Sequence, residues 1–365
     1  MDKIIKKAIN DLVWFIPFKR FRNSIRVLLH YFFNKLDKLD KLDKLGILDK
    51  IDYIIAEYDN SGFDDCVIIQ CDGGFADQIN TFITGKYIEL NYNKKVKYDL
   101  EWYDYNGLDW NKKFRRNFEL LNIFPDIDFN LASKEEIYRY KSLYHMDNIE
   151  IDYKSLYIIS NLKKLHLFSR YKEIYFYNSY KDLFDEILDF DKYLYPKLDN
   201  NNLEVYNNIK SSDCPIAIHI RLGDLEDWGK EILSTDYLKK SVKFITEKIK
   251  PSTPKFFIFS NDINYVKEMI WKDELCKYQY EFVVNNDNDK GYIDFYLISK
   301  CKHVIGSVGR FALTSYNFIK YDHKTLLLPN NINKDIIEDF RNTNFYDIEE
   351  NENLFIISYN KNIKN

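Results

Sequence analysis

A chain of 365 residues is long enough for two domains of ordinary size, each with its own core. Its 53 Lys+Arg against 57 Asp+Glu leave a formal net charge of −4, which removes any electrostatic case for nucleic-acid binding. Cys66, Cys71, Cys214, Cys276 and Cys301 form no C-x-x-C and no Cys/His ligand cluster, so they read as small apolar fillers in a reducing compartment and not as a disulfide or metal framework.

No apolar stretch is followed by a small-residue cleavage site, and no apolar run reaches the roughly 18 residues needed to cross a bilayer. The aromatic content of 17% suits sugar-binding faces, but it accompanies an excess of Asn, Lys and Ile, so a compositional bias of the source genome accounts for most of it.

Residues 1–35 carry eight basic side chains against Asp2 and Asp11, interleaved with Trp14, Phe15, Phe18, Phe21, Tyr31, Phe32 and Phe33. That mixture suits helices lying in the interface of an anionic membrane, split at Pro17, with ~1 kcal/mol gained per basic residue. The alternative is a helical pair packed on the protein body or on a second subunit. The K-L-D repeat that follows places Asp37 with Lys41 and Asp40 with Lys44 at i,i+4, which predicts a helical spacer or oligomerisation helix. On the membrane reading the protein sits on the cytoplasmic, inner face of a membrane.

Cys66–Cys71 is a buried-strand candidate, followed by Asp72-Gly73-Gly74 and a helix over about 75–92. Strand, Gly-Gly, helix is an arrangement in which backbone amides and a helix N-terminus can approach an anion. Further strands are expected at 96–100 and 174–177. Beyond Ser211 the alternation becomes regular, with strands at 216–221, 256–259, 281–284, 303–305 and 325–328. Helices are expected between them, near 236–249, 262–271, 292–300 and 311–320. Such alternation with short connections predicts a parallel sheet with helices on both faces, a Rossmann-like nucleotide domain without the G-x-G-x-x-G fingerprint.

In a sheet of this kind ligands bind beyond the carboxyl ends of the strands. The residues there are His219, Arg221 and Asp224 after the first strand. Ser260, Asn261 and Asp262 follow the second, and Ser307, Gly309 and Arg310 follow the fourth. His219 and Arg221 are two apart and so share a face. Ser260 and Asp262 also suit the role of ordinary helix caps. Two arginines, a helix N-terminus and a carboxylate suit a nucleoside diphosphate.

These residues resemble a family. His219-Ile220-Arg221-Leu222-Gly223-Asp224 is similar to the H-x-R-x-G-D motif of the α-1,2-fucosyltransferases, with Leu222 where Arg is usual. In the same order along the chain, Gly73-Gly74-Phe75-Ala76-Asp77-Gln78 resembles G-G-L-G-N-Q. The strand ending in Ser260-Asn261-Asp262, the helix from Asp294 to Cys301-Lys302-His303, and Ser307 to Tyr316 resemble three further segments, the last without its tryptophans.

The resemblance covers about 66–328 and implies an α/β chain of GT-B type, with two Rossmann-like domains facing a cleft. The corresponding division is a helical extension at 1–60, an acceptor-side domain at 61–210, a nucleotide-sugar domain at 211–330 and a C-terminal tail at 331–365 that packs back on the body. It also implies GDP-fucose as donor, a galactose-containing oligosaccharide acceptor, inversion at the anomeric carbon, and neither metal nor other cofactor. Arg221 would neutralise charge on the departing GDP, and His219 would position Arg221 or a phosphate. Ser307, Gly309 and Arg310 would hold phosphates, joined by Gly73 and Gly74. Ser260 and Asp262 would face guanine, Gln78 the acceptor, and Asp77 or Asp224 would take the acceptor's proton.

Overall fold

The computed structural model describes residues 64–105, 115–143, 145–147, 163–168, 173–222, 234–251, 253–270, 277–284, 286, 290–343, 345–351 and 354–360. The basic N-terminal segment and the K-L-D repeat lie outside the described residues, as do Gly223 and Asp224. Among the described residues no helix is long and apolar enough to cross a membrane. The chain forms two compact units, one from within residues 64–71, 84–101 and 129–171, the other from within 72–83, 102–128 and 172–365.

The first unit is a parallel sheet of β1 (Val67–Gln70), β2 (Val96–Asp99), β3 (His145–Asp147) and β4 (Leu165–Phe168), in the order β2-β1-β4-β3. Helix α1 (Phe75–Tyr92) begins within the second unit's residues and ends within the first's, and α2 (Lys134–Leu143) belongs to the first. The pleat separates the two sides of this sheet. Val67, Ile69, Tyr98 and Leu167 lie on one face, while Ile68, Asp99 and His166 share the other, and all are buried.

From residue 172 onward the second unit includes α3 (Glu173–Ser179) and α4 (Asn200–Ser211). Five parallel strands follow: β5 (Cys214–Ile220), β6 (Pro254–Ser260), β7 (Gln279–Phe282), β8 (His303–Ile305) and β9 (His323–Pro329). They alternate with α5 (Thr235–Phe244), a short helical stretch from Ile263, α6 (Gly291–Lys300) and α7 (Arg310–Asn317). The parallel strands run β7-β6-β5-β8-β9 across the sheet, so the order reverses between β5 and β8, which is the topological switch point of a doubly wound fold.

Alternation along the strands gives each face its own core. Ile216, Ile218, Ile220, Phe256 and Ile258 pack with Tyr237, Leu238 and Val242 of α5, while Ala217, Phe257, Phe259 and Val304 pack with Leu297, Leu313 and Tyr316 of α6 and α7. Both faces are covered, which is why these strands read as unbroken apolar runs. Two α/β units, each built around parallel strands of its own, follow the GT-B plan.

Two expectations change, and the C-terminal one gains detail. Residues 174–177 are helical, not extended: Ile174, Phe176 and Tyr177 are buried in α3, whose first N–H groups include that of Ile174, donating to Asp339 Oδ2 at 2.9 Å. Side-chain contact with the body outweighed the β-propensity of I-Y-F-Y. The C-terminal stretch adds α8 (Lys334–Arg341) and two antiparallel strands, β10 (Tyr346–Glu350) and β11 (Leu354–Asn360), with β11 paired to β9. It packs back on the body by extending the sheet. Finally, the units do not divide at 210/211: residues 72–83, 102–128 and 172–210 group with the nucleotide-type sheet.

Candidate active site

The loops leaving β5 and β8 flank the switch point, and the structure ties them together. Ser307 is 2% exposed, and its Oγ accepts the Arg221 backbone N–H at 3.1 Å and lies 3.3 Å from His219 Nδ1. Parity along β5 puts His219 on the α7 side of the sheet, where its ring stacks on Phe311 at 5.0 Å. Burial, helped by the Arg221 charge, lowers the His219 pKa to about 3. So low a pKa makes the imidazole a weak base, which suits a positioning role better than that of a proton acceptor.

Ser307 was expected to hold a phosphate itself. Its hydroxyl is instead enclosed and committed to Arg221 and His219, so it positions the residues around it. The turn containing it is fixed from the other side by Tyr237 of α5, whose hydroxyl lies 2.8 Å from both the Gly306 and the Leu327 carbonyl oxygens.

Gly309 precedes α7 with φ of 137°, a conformation that disfavours any side chain, and a Cβ there would lie 3.2 Å from Arg221 Nη1. The glycine thus admits the guanidinium beside the start of α7. At the other end of α7, the buried ammonium of Lys324 donates to the carbonyls of Tyr316, Asn317 and Ile319 at 2.8, 3.0 and 2.9 Å. This caps the helix C-terminus and anchors the element that presents Gly309 and Arg310.

Asn261, past β6, makes a reciprocal pair with the Leu222 backbone: Leu222 N–H donates to Oδ1 at 2.8 Å, and Nδ2 donates to the Leu222 carbonyl at 2.9 Å. The amide extends the β5–β6 ladder by one rung, something a carboxylate could not do because it has no N–H to donate. Leu222 itself is 4% exposed and sits in the α5-side core, so the place where the family motif often has Arg is here an apolar anchor. Ser260 and Asp262 form the local turn: Asp262 N–H donates to Ser260 Oγ at 3.1 Å, and Asp262 Oδ1 accepts Tyr265 N–H at 3.0 Å as a helix cap. The Asp262 side chain stays exposed at the β6 strand end.

The Gly73-Gly74 turn also belongs to the second unit. Gly73 has φ of 73°, and a Cβ on it would fall 2.6 Å from Asp77 Oδ2, so both conformation and space require glycine. Asp77 Oδ2 accepts Gly74 N–H at 3.3 Å, and its Oδ1 faces Arg310 Nη1 at 3.5 Å. Asp77 falls in the expected acceptor-side domain at 61–210, yet it lies within the same unit as Arg310.

Gln78 is corrected as an acceptor ligand. It is fully buried, its Oε1 accepts Glu119 and Leu120 N–H at 2.8 and 3.1 Å, and its Nε2 donates to the Asn117 carbonyl at 2.8 Å. It serves to pin residues 117–120.

One group was not singled out from sequence. Asp294, in the first turn of α6, accepts Asn286 Nδ2 at 2.6 Å, and burial raises its pKa to about 7 despite that bond. A carboxyl raised toward neutrality at the start of α6 is a functional candidate. An acid in the first turn of an otherwise apolar helix was the available signal, but its burial was not visible. Among the described residues no three His, Cys, Asp or Glu side chains are grouped so as to hold a metal ion.

Comparison with solved structures finds a mutant of Arabidopsis thaliana FUT1 in complex with GDP, at 14% identity over 76% of this chain and 75% of that one, with a TM-score of 0.39. It also finds the α-1,6-fucosyltransferase NodZ co-crystallised with GDP, at 9% identity over 74% and 97% of the two chains and a TM-score of 0.46. NodZ from Bradyrhizobium matches at 9% identity over 72% and 96%, with a TM-score of 0.42. No curated protein matches the chain. At family level, residues 115–348, more than half of the chain and including β5 through β9, match Glycosyl transferase family 11. The strand-end assembly of Arg221, His219 and Ser307 therefore sits in a chain that belongs to glycosyl transferase family 11.

Proposed function

We propose that the protein transfers L-fucose from GDP-fucose, with inversion, to a hydroxyl of a galactose-terminated glycan, O2 of galactose being the position that the sequence resemblance implies. The observation that carries this reading is the clamp of the Arg221 backbone by Ser307 at the β5/β8 switch point, with Gly309 opening space for the guanidinium. Arg221 then meets the diphosphate and stabilises charge as GDP departs, without metal. Asp262 keeps one carboxylate oxygen beyond its capping bond for the guanine N–H groups. Asp77, paired with Arg310 and 37% exposed, takes the acceptor's proton.

The test is turnover by the full chain of GDP-fucose against GDP-mannose, read as GDP release. Preference for GDP-fucose supports the reading, and turnover of GDP-mannose alone would replace the donor. The basic aromatic segment 1–35 extends the proposal to an anionic membrane surface. Equal sedimentation with anionic liposomes of the full chain and of a truncation lacking residues 1–60 would refute that extension.

A further inference from the structure

Gln78, displaced from the acceptor, leads to a different set of side chains. By pinning the backbone of residues 117–120, it fixes Phe118, whose ring tilts against Tyr103 at 5.6 Å between centroids. The Tyr103 hydroxyl in turn donates to the Gly73 carbonyl at 3.0 Å, in the same turn that Asp77 closes. Trp102 stands edge-on to Tyr103 at 5.0 Å and 88°. Among the described residues Tyr103 is its aromatic neighbour.

All of these residues belong to the second unit, and all three rings are half-buried. That sets them apart from the interior aromatics of the same unit, such as Phe257, Phe259, Tyr296 and Tyr316, which are fully enclosed. A half-exposed indole is a rigid apolar plate that loses little conformational freedom on binding. Tyr103 and the Gly73-Gly74 turn link it in turn to a part-exposed carboxylate, Asp77, paired with Arg310. An apolar plate and a hydrogen-bonding carboxylate carried by one connected set of side chains suit the two sides of a neutral sugar ring, one presenting C–H groups and the other hydroxyls.

We propose that Trp102, held by Tyr103 and Phe118, is the stacking platform of an acceptor subsite that takes a terminal neutral hexose ring with its reactive hydroxyl toward Asp77. The subsite rests on the fucosyl-transfer reading for its position in the reaction but not for its ligand chemistry. In this arrangement Gln78 acts at second hand, as the residue that sets the wall behind the plate.

The test is binding of the full chain to an array of galactose-terminated oligosaccharides, read with and without GDP, alongside calorimetric titration of GDP. The subsite predicts glycan binding that Trp102→Phe retains and Trp102→Ala weakens by about tenfold, with GDP affinity unchanged in both variants. Undiminished glycan binding by Trp102→Ala, or no binding to any galactose-terminated glycan by the unmutated chain, would overturn it. Failure to bind GDP would strike the donor reading alone, because the array without GDP still decides whether Trp102 holds a sugar.

Discussion

Each unit concentrates polar side chains on its parallel sheet, and the two treat charge in opposite ways. In the first, Asp99 is completely buried, accepts from His166 Nε2 at 3.0 Å, Lys141 Nζ at 2.7 Å and Glu101 N–H at 2.8 Å, and His166 Nδ1 lies 2.9 Å from His145 Nδ1. Burial alone would raise the Asp99 carboxyl; those donors hold it below the usual carboxylate range. In the second unit, neutral groups such as Ser307, Asn261 and Tyr237 hold the backbone, while Arg310 and Asp77 stay 24% and 37% exposed. One cluster cancels its charge internally; the other fixes its loops with uncharged bonds and presents charge. The difference separates a polar core from the proposed ligand site, and it makes the two respond differently to mutation.

The largest expected loss of stability is on the first side. Asp99→Ala leaves His166 and Lys141 without their shared acceptor and should cost roughly 3 kcal/mol, toward the low end for breaking a buried pair because Lys141 keeps Glu101. Denaturant midpoints measure it. An Asp99→Ala protein of unchanged stability that had lost GDP release would erase the distinction.

On the second side, Asn261→Ala removes the added rung between β5 and β6 and leaves the Leu222 N–H and C=O without their side-chain partner. A loss of about 1–3 kcal/mol follows, together with slower GDP release from GDP-fucose because the backbone carrying Arg221 loosens. Asn261→Asp tests the reading further: it restores an acceptor for Leu222 N–H but no donor for its carbonyl, so recovery should be partial.

The smallest effect is on pH dependence. A carboxyl whose pKa is about 7 in the fold and near 3.8 unfolded binds a proton more tightly in the native state. Stability contributed at this site therefore falls as pH rises from about 4 to about 7, and the loss is complete above that. Asp294→Asn keeps an oxygen for Asn286 and removes the titration. Its Tm should exceed that of the unmutated chain by a few degrees at pH 8 and converge with it near pH 4. An unchanged difference across that range would show that Asp294 is not the titrating group.

The same contrast explains what could be read from sequence. Strands β5, β6, β8 and β9 were legible because both faces are covered, leaving apolar runs punctuated by short polar strand ends, whereas β7, part-exposed at the sheet edge, lies two residues before the expected 281–284. Strand β10 was not, since Tyr346–Glu350 is largely exposed and owes its conformation to pairing with β11. Residues 174–177 carried a strand's composition but a helix's contacts. Gln78 was misassigned because its partners lie about forty residues away in sequence, and the bridge from Asn261 to the Leu222 backbone spans 39 residues in the same way.

The central claim is that a guanosine diphosphate sits beyond β5 and β8 with Arg221 on its phosphates. Calorimetric titration of GDP into the full chain and into Arg221→Ala tests it most directly. The account predicts that the unmutated chain binds GDP in preference to ADP and that Arg221→Ala weakens GDP by about tenfold to a hundredfold, as expected for a charge-assisted contact. Equal GDP affinity in the two proteins would contradict it.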